Sequence, residues 1–172
     1  NTVNLLAINS QLQVYFLYTQ SRFSFSEEFT DAERLQAAIG QGTTVMTPIH
    51  LNMITQAIAN GGVMMKPYLI DSVTSENGTV VKKFSPEEYK RVMTTEESEA
   101  LTELMKAVVE EGTAKKVSGL EFTVAGKTGS AEYGQTKGES HAWFTGFAPA
   151  EDPEIAVTII VEGAGSGGDY AV

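Results

Sequence analysis

The order of segments along this chain predicts an α+β fold: an antiparallel sheet flanked by helices. Helix-type patterns fill the middle of the chain, and three extended apolar segments then follow one another with only turn-length connections. Consecutive strands joined so briefly pair antiparallel, because a parallel sheet needs a long crossover between neighbours. Composition agrees: 172 residues, 42% hydrophobic and 20% charged, suit one globular domain with its own core.

Residues 1–30 are poorly assigned. The first half suits a buried helix, while VYFLY at 14–18 has the bias of a strand. Thr30 then caps a short helix, Asp31 to Ala38, that ends at Gly40. GQGTTVMTP is a loop whose Thr47-Pro48 supplies an N-cap and a first-turn proline. The helix it opens, about Pro48 to Asn60, carries Leu51, Ile54 and Ile58 on one face and stops at Gly61-Gly62. PYLIDSVT and TVVKKF read as two extended segments joined at SENG, where Asn77-Gly78 signals a hairpin. Thr94 with Glu97 makes a capping box for a helix of about Thr95 to Glu111. Its apolar stripe is Leu101, Leu104, Met105 and Val108, and Gly112 ends it. Strands are expected at about 121–132, 141–148 and 154–162, separated by the turn-rich YGQTKGES and PAEDP. A GAGSGG run follows them.

Charge and composition remove several functions. A net charge of -10 and a pI near 4.6 argue against a nucleic-acid partner, which needs clustered Lys and Arg. With no cysteine, disulfides, thiolate zinc sites and a cysteine nucleophile are excluded. Only His50 and His141 are available, so no metal site is expected, and nothing calls for a cofactor. His50, in the first turn of its helix, is most simply structural. No apolar run approaches the ~20 residues of a membrane span, and no export signal is visible at the N-terminus.

The stretch VAGKTGSAEYG, residues 124–134, admits two chemistries. A phosphate-binding loop needs glycine five residues before its Gly-Lys, but Glu121 stands there, and no helix pattern follows. The alternative is a Lys-Thr-Gly strand beside an acyl-transfer cleft. On a strand, Lys127 and Gly129 share a face and Thr128 points away. Gly129 leaves room for a substrate backbone, Lys127 supplies a cation, and nearby hydroxyls can bind a carboxylate. A backbone N–H just past the glycine can face a developing oxyanion.

Four blocks in order resemble the transpeptidase domain of penicillin-binding proteins. They are AIGQG (38–42) with Thr47-Pro48, ANGG (59–62) with KPYLI (66–70), AGKTGSAE (125–132), and HAWFTGFAPA (141–150) followed by IAVTIIVEG and GSGG. The chain is similar to the C-terminal portion of the class B, monofunctional type. The resemblance implies a penicillin-binding and serine β-lactamase-like fold, incomplete at both ends, with residues 1–172 forming part of one transpeptidase domain. It implies a peptidoglycan D,D-transpeptidase working through a serine acyl-enzyme on D-Ala–D-Ala stem peptides and acylated by β-lactams. It also implies a place on the extracytoplasmic face of the bacterial cytoplasmic membrane, with an anchor outside this chain. Other proteins of wall synthesis, cell shape or division are its implied partners.

Carried over by motif, Lys127 and Ser130 hold the catalytic roles, Ser130 through its backbone N–H in the oxyanion hole. Lys127, Thr128, Gly129 and the Ser130 hydroxyl bind substrate. His141 either lines the cleft mouth or is a solvated turn residue. The departures are as informative. The family nucleophile is a Ser-x-x-Lys serine, and no serine of this chain has lysine three residues on. Ser75-Glu76-Asn77 matches the family's Ser-x-Asn, but in a hairpin turn on the wrong side of AIGQG; Asn1-Thr2 is an alternative end of that motif. These 172 residues are therefore expected to be inactive alone. A β-lactam sensor or serine β-lactamase, and a non-catalytic scaffold that binds wall fragments, remain as alternatives.

Overall fold

The computed structural model describes residues 20–23, 26–133 and 139–172. The expectations for residues 1–19, VYFLY and Asn1-Thr2 among them, lie outside the described residues. The chain divides into two compact units, residues 1–47 and residues 48–172.

In the first unit, helix α1 (Asp31–Ala38) starts as its sequence predicts. Thr30 Oγ1 accepts the Glu33 N–H, and the Glu33 carboxylate accepts the Thr30 N–H at 2.8 Å. That backbone bond, then the Thr30 hydroxyl, holds the Glu33 carboxyl below its usual value. Gly40 follows in the left-handed region, at φ 76°. Arg22 and Val45 form an isolated antiparallel bridge, and Ser21 Oγ accepts the Thr47 N–H at 3.0 Å.

The second unit opens with α2 (Pro48–Ala59) and continues into a nested pair of two-stranded sheets. Strands β1 (Val63–Met65) and β4 (Glu88–Arg91) pair antiparallel around the hairpin of β2 (Ser72–Thr74) and β3 (Val80–Lys83). The hairpin turns at Asn77-Gly78 as predicted, with Gly78 at φ 84°. The outer pair carries no sequence signal. β1 is three residues long between glycines and Lys66-Pro67, and β4 is exposed throughout, so neither shows an alternation.

Helix α3 (Thr95–Glu110) begins with its capping box in place. Its buried face differs from the expected stripe. Leu104 is 65% exposed, and Ser98, Met105 and Val109 are buried. Spacings of seven and four bring these three to one line on the helix. Serine is accepted there because its Oγ donates to Ile58 O, a carbonyl left without an intrahelical partner at the end of α2.

The principal sheet, among the described residues, has the order β5 (Ala125–Glu132), β6 (Ser140–Ala148), β7 (Ile155–Val161), all antiparallel. A short helix, α4 (Gly167–Tyr170), ends the chain. β5 starts later than the expected 121 because Thr123 O and Oγ1 both accept the Ala150 N–H, which anchors the approach before the ladder begins.

Register partners share a face, so the two faces can be sorted. Ala125, Phe147 and Ala156 pack with Met105, Ala150 and the end of α2. Ala142 and Phe144, on the other face, pack with Val109, Ala114 and Ala171. The Phe144 ring lies over the facing glycines Gly126 and Gly146. A β-carbon on Gly126 would stand 2.6 Å from the ring, and one on Gly146 2.9 Å from it.

Helix α2 is tied to the sheet by buried hydroxyls. Asn52 Nδ2 donates to Thr158 Oγ1 (3.4 Å), Thr158 meets Thr145 (2.7 Å), and Thr145 meets Thr55 (2.6 Å). Thr55 in turn donates to Leu51 O at 3.0 Å. Asn52 Nδ2 can only donate and Leu51 O can only accept, so with Thr55 donating to Leu51 O the protons along the chain run one way, while Val157 O, 3.3 Å from Thr145 Oγ1, is a competing acceptor. Thr145→Val removes its middle link and strands the Thr158 proton. We expect a loss of about 1–3 kcal/mol in chemical denaturation of the full-length protein, largely recovered in Thr145→Ser. A valine variant with the wild-type midpoint would show that the chain contributes nothing.

Candidate functional site

The Lys-Thr-Gly-Ser segment lies in the middle of β5, and the ladder determines where its backbone groups point. Tyr133 N–H donates to Glu139 O across the strand pair. The pairing register runs unbroken from there, so odd-numbered residues of β5 exchange bonds with β6. The N–H and C=O groups of Thr128 and Ser130 therefore point away from β6. Among the described residues that side is the outer edge of the sheet. Lys127 Nζ folds along this edge and donates to Thr128 O at 2.6 Å. A cation and the Ser130 N–H thus flank the same stretch of edge.

The side chains alternate as a strand requires. Lys127 is exposed and Thr128 is 8% exposed. Lys127, Gly129 and Ala131 share their face with Thr145, Trp143 and His141. At Gly129 a β-carbon would meet only Trp143 Cβ, at 3.4 Å, so this face has clearance beside the lysine.

The other face is held from behind. Thr128 Oγ1 lies 2.5 Å from Thr113 Oγ1, in the turn after α3. Ser130 Oγ accepts the Gly167 N–H at 3.1 Å. The glycine run is fastened to β6 as well, through Gly165 N–H to Ser140 O (2.9 Å) and Ser140 Oγ to Gly165 O (2.8 Å). Gly167 presses directly on the ladder. A β-carbon there would fall 2.2 Å from Gly129 O and 2.6 Å from Trp143 O.

His141 is the second residue of β6, so it is not a loosely solvated turn residue. Its ring stacks on Tyr133, with centroids 4.2 Å apart and an interplanar angle of 9°. Its Nδ1 accepts the Gly163 N–H at 3.0 Å, which leaves the proton of the neutral ring on Nε2. The pair sits at the far end of the Lys127 face. The other motif match is used up locally: Ser75 Oγ donates to Asn77 Oδ1 and Thr79 O, and Asn77 Oδ1 accepts the Thr79 N–H, all within the β2–β3 turn. Thr113, Gly167 and the Tyr133 stack were not singled out from sequence. Of these, only the glycine run left a signal, and it marked a turn without marking its close approach to β5.

A family model described as the penicillin binding protein transpeptidase domain matches residues 13–172. The chain belongs to this family. Among penicillin-binding transpeptidases of known sequence, it is 35% identical over 131 residues to the peptidoglycan D,D-transpeptidase PbpA of Mycolicibacterium smegmatis, covering 75% of this chain and 26% of that protein. It is 36% identical over 144 residues to the stage V sporulation protein D of Bacillus subtilis, covering 79% of this chain and 22% of the relative. The ceftriaxone acyl-enzyme complex of penicillin-binding protein A from M. tuberculosis superposes with a TM-score of 0.81 at 30% identity, over 93% of this chain and 36% of that one. The chain thus spans about a quarter of the length of these curated relatives. The α+β architecture with its antiparallel sheet is that of the family's transpeptidase domains.

Proposed function

We propose that the protein carrying these residues is a peptidoglycan D,D-transpeptidase of the monofunctional type, acting at the extracytoplasmic face of the bacterial cytoplasmic membrane. The observation that carries this is the Lys127–Ser130 edge strand, with its cation and its outward N–H, in a chain a third identical to D,D-transpeptidases. A serine from outside these residues attacks the carbonyl before the terminal D-Ala of a stem peptide, and the terminal D-Ala leaves. The resulting ester is opened by an amine of a second stem peptide, which forms the cross-link and returns the serine proton.

Within this sequence Lys127 draws the substrate carboxylate to the edge. The Ser130 hydroxyl and the open face at Gly129 seat the backbone, and the Ser130 N–H stabilises the oxyanion. The buried Thr128 hydroxyl, bonded to Thr113, holds the strand and does not reach the substrate. His141, with its Nε2–H, is placed to line the far end of the same face. A β-lactam, whose strained amide replaces the D-Ala–D-Ala bond, acylates the same serine. Other proteins of wall synthesis or division are its expected partners.

Incubation with a fluorescent penicillin tests the proposal. We expect one covalent label per full-length molecule, and none on residues 1–172 alone, which carry no Ser-x-x-Lys. A full-length protein that stays unlabelled, or that turns the penicillin over without holding it, would sink the transpeptidase assignment.

A further inference from the structure

Thr113 stands outside the motif yet touches it at the decisive point. It lies between the end of α3 and the 3-10 turn Lys115–Val117. That turn is rigid by construction: the N–H groups of Gly112 and Ala114 both donate to Val108 O at 3.1 Å, and Ala114 is fully buried. A β-carbon on Gly112 would fall 2.8 Å from Val108 O, so the chain leaves the helix with no slack. Thr113 is held in this frame and meets two parts of the site. Its Oγ1 bonds Thr128 Oγ1, and its carbonyl lies 2.7 Å from where a β-carbon of Gly168 would stand. It therefore links the motif strand to the glycine run that grips Ser130.

Gly129 makes such a link necessary. The residue that opens the face to substrate has no side chain to hold the strand, and β5 has a strand neighbour on only one side among the described residues. What holds the segment lies on either side of the glycine: Thr128 to Thr113, and Ser130 to the Gly167 N–H. The oxyanion donor and Lys127 both sit on this short piece of backbone, so its position sets their aim. Catalytic donors lose much of their effect when displaced by about 1 Å.

We propose that Thr113 is a positioning residue for acyl transfer, fixing the Lys127–Ser130 edge from behind through the Thr128 hydroxyl. The proposal rests on the transpeptidase function proposed above. In the full-length protein, Thr113→Val keeps the shape of the side chain and removes the hydroxyl, and Thr113→Ser keeps the hydroxyl. We expect the valine variant to lose about tenfold in the first-order rate of β-lactam acylation, with the initial non-covalent affinity within about twofold of wild type. A uniform loss of binding would instead appear in that affinity. The serine variant should recover most of the rate. If the valine variant gives no folding transition, Thr113→Ala takes its place with the same expectation. Acylation at the wild-type rate without the hydroxyl, or a serine variant as slow as the valine one, would overturn the proposal. A wild-type protein that forms no acyl-enzyme would instead remove the underlying function, and this inference with it.

Discussion

Lys127→Ala in the full-length protein is expected to lower the second-order rate of β-lactam acylation by about 100-fold, the scale of losing one preorganised electrostatic group at a reacting centre. The fold should not register the change. Lys127 is exposed, and its one described hydrogen bond runs to the carbonyl of the next residue, so thermal stability should move by less than about 0.5 kcal/mol. Lys127→Arg restores the charge with a planar, longer fork and should recover only part of the rate. Stopped-flow acylation beside a melting curve separates the possibilities. If the alanine variant acylates within a few-fold of wild type, the lysine has no role in this site.

Gly167→Ala should have the opposite character, a loss of structure first and of activity as its result. The new β-carbon would meet two carbonyl oxygens, those of Gly129 and Trp143, at 2.2 and 2.6 Å. Gly129 and Trp143 face each other in the β5–β6 ladder, so neither can retreat without breaking strand hydrogen bonds. The glycine run must lift instead, releasing Ser130 Oγ. Overpacking of this kind costs about 1–3 kcal/mol, and rigid backbone on both sides of the clash places the expected loss at the top of that range. Gly129→Ala is the matched control. Its β-carbon would meet only Trp143 Cβ at ordinary contact distance, so it should fold normally while crowding the substrate face. Equal denaturation midpoints for the two variants would refute the account of Gly167.

These expectations draw on parts of the chain that differ in how plainly the sequence announces them. Capping signals are local and chemically specific, so Thr30, and Thr94 with Glu97, marked where their helices begin. The Asn-Gly turn and the alternation on β5 were equally plain, because both follow from backbone geometry within a few residues. The buried face of α3 was not, since Leu104 and Val109 are alike in hydropathy and only the position of neighbouring elements chooses between them. Thr113 was invisible for a related reason. Its importance comes from Thr128, fifteen residues away, and a lone threonine after a helix carries no mark of such a contact.

The glycine pair beneath Phe144 determines how the sheet can assemble. Hydrophobic patterning rejects a one-residue slip between strands, because every side chain changes face, but it cannot reject a slip of two, which keeps each residue on its own side. Shifting β6 against β5 by two would bring Val124 or Thr128 beneath the ring in place of Gly126. Either would carry a β-carbon into the space the ring occupies. Phe144 and Gly126 thus behave as key and keyway, admitting one alignment from a ladder of otherwise equivalent ones. The alignment they select is the one that sets Lys127 opposite Thr145 and the Gly129 clearance opposite Trp143.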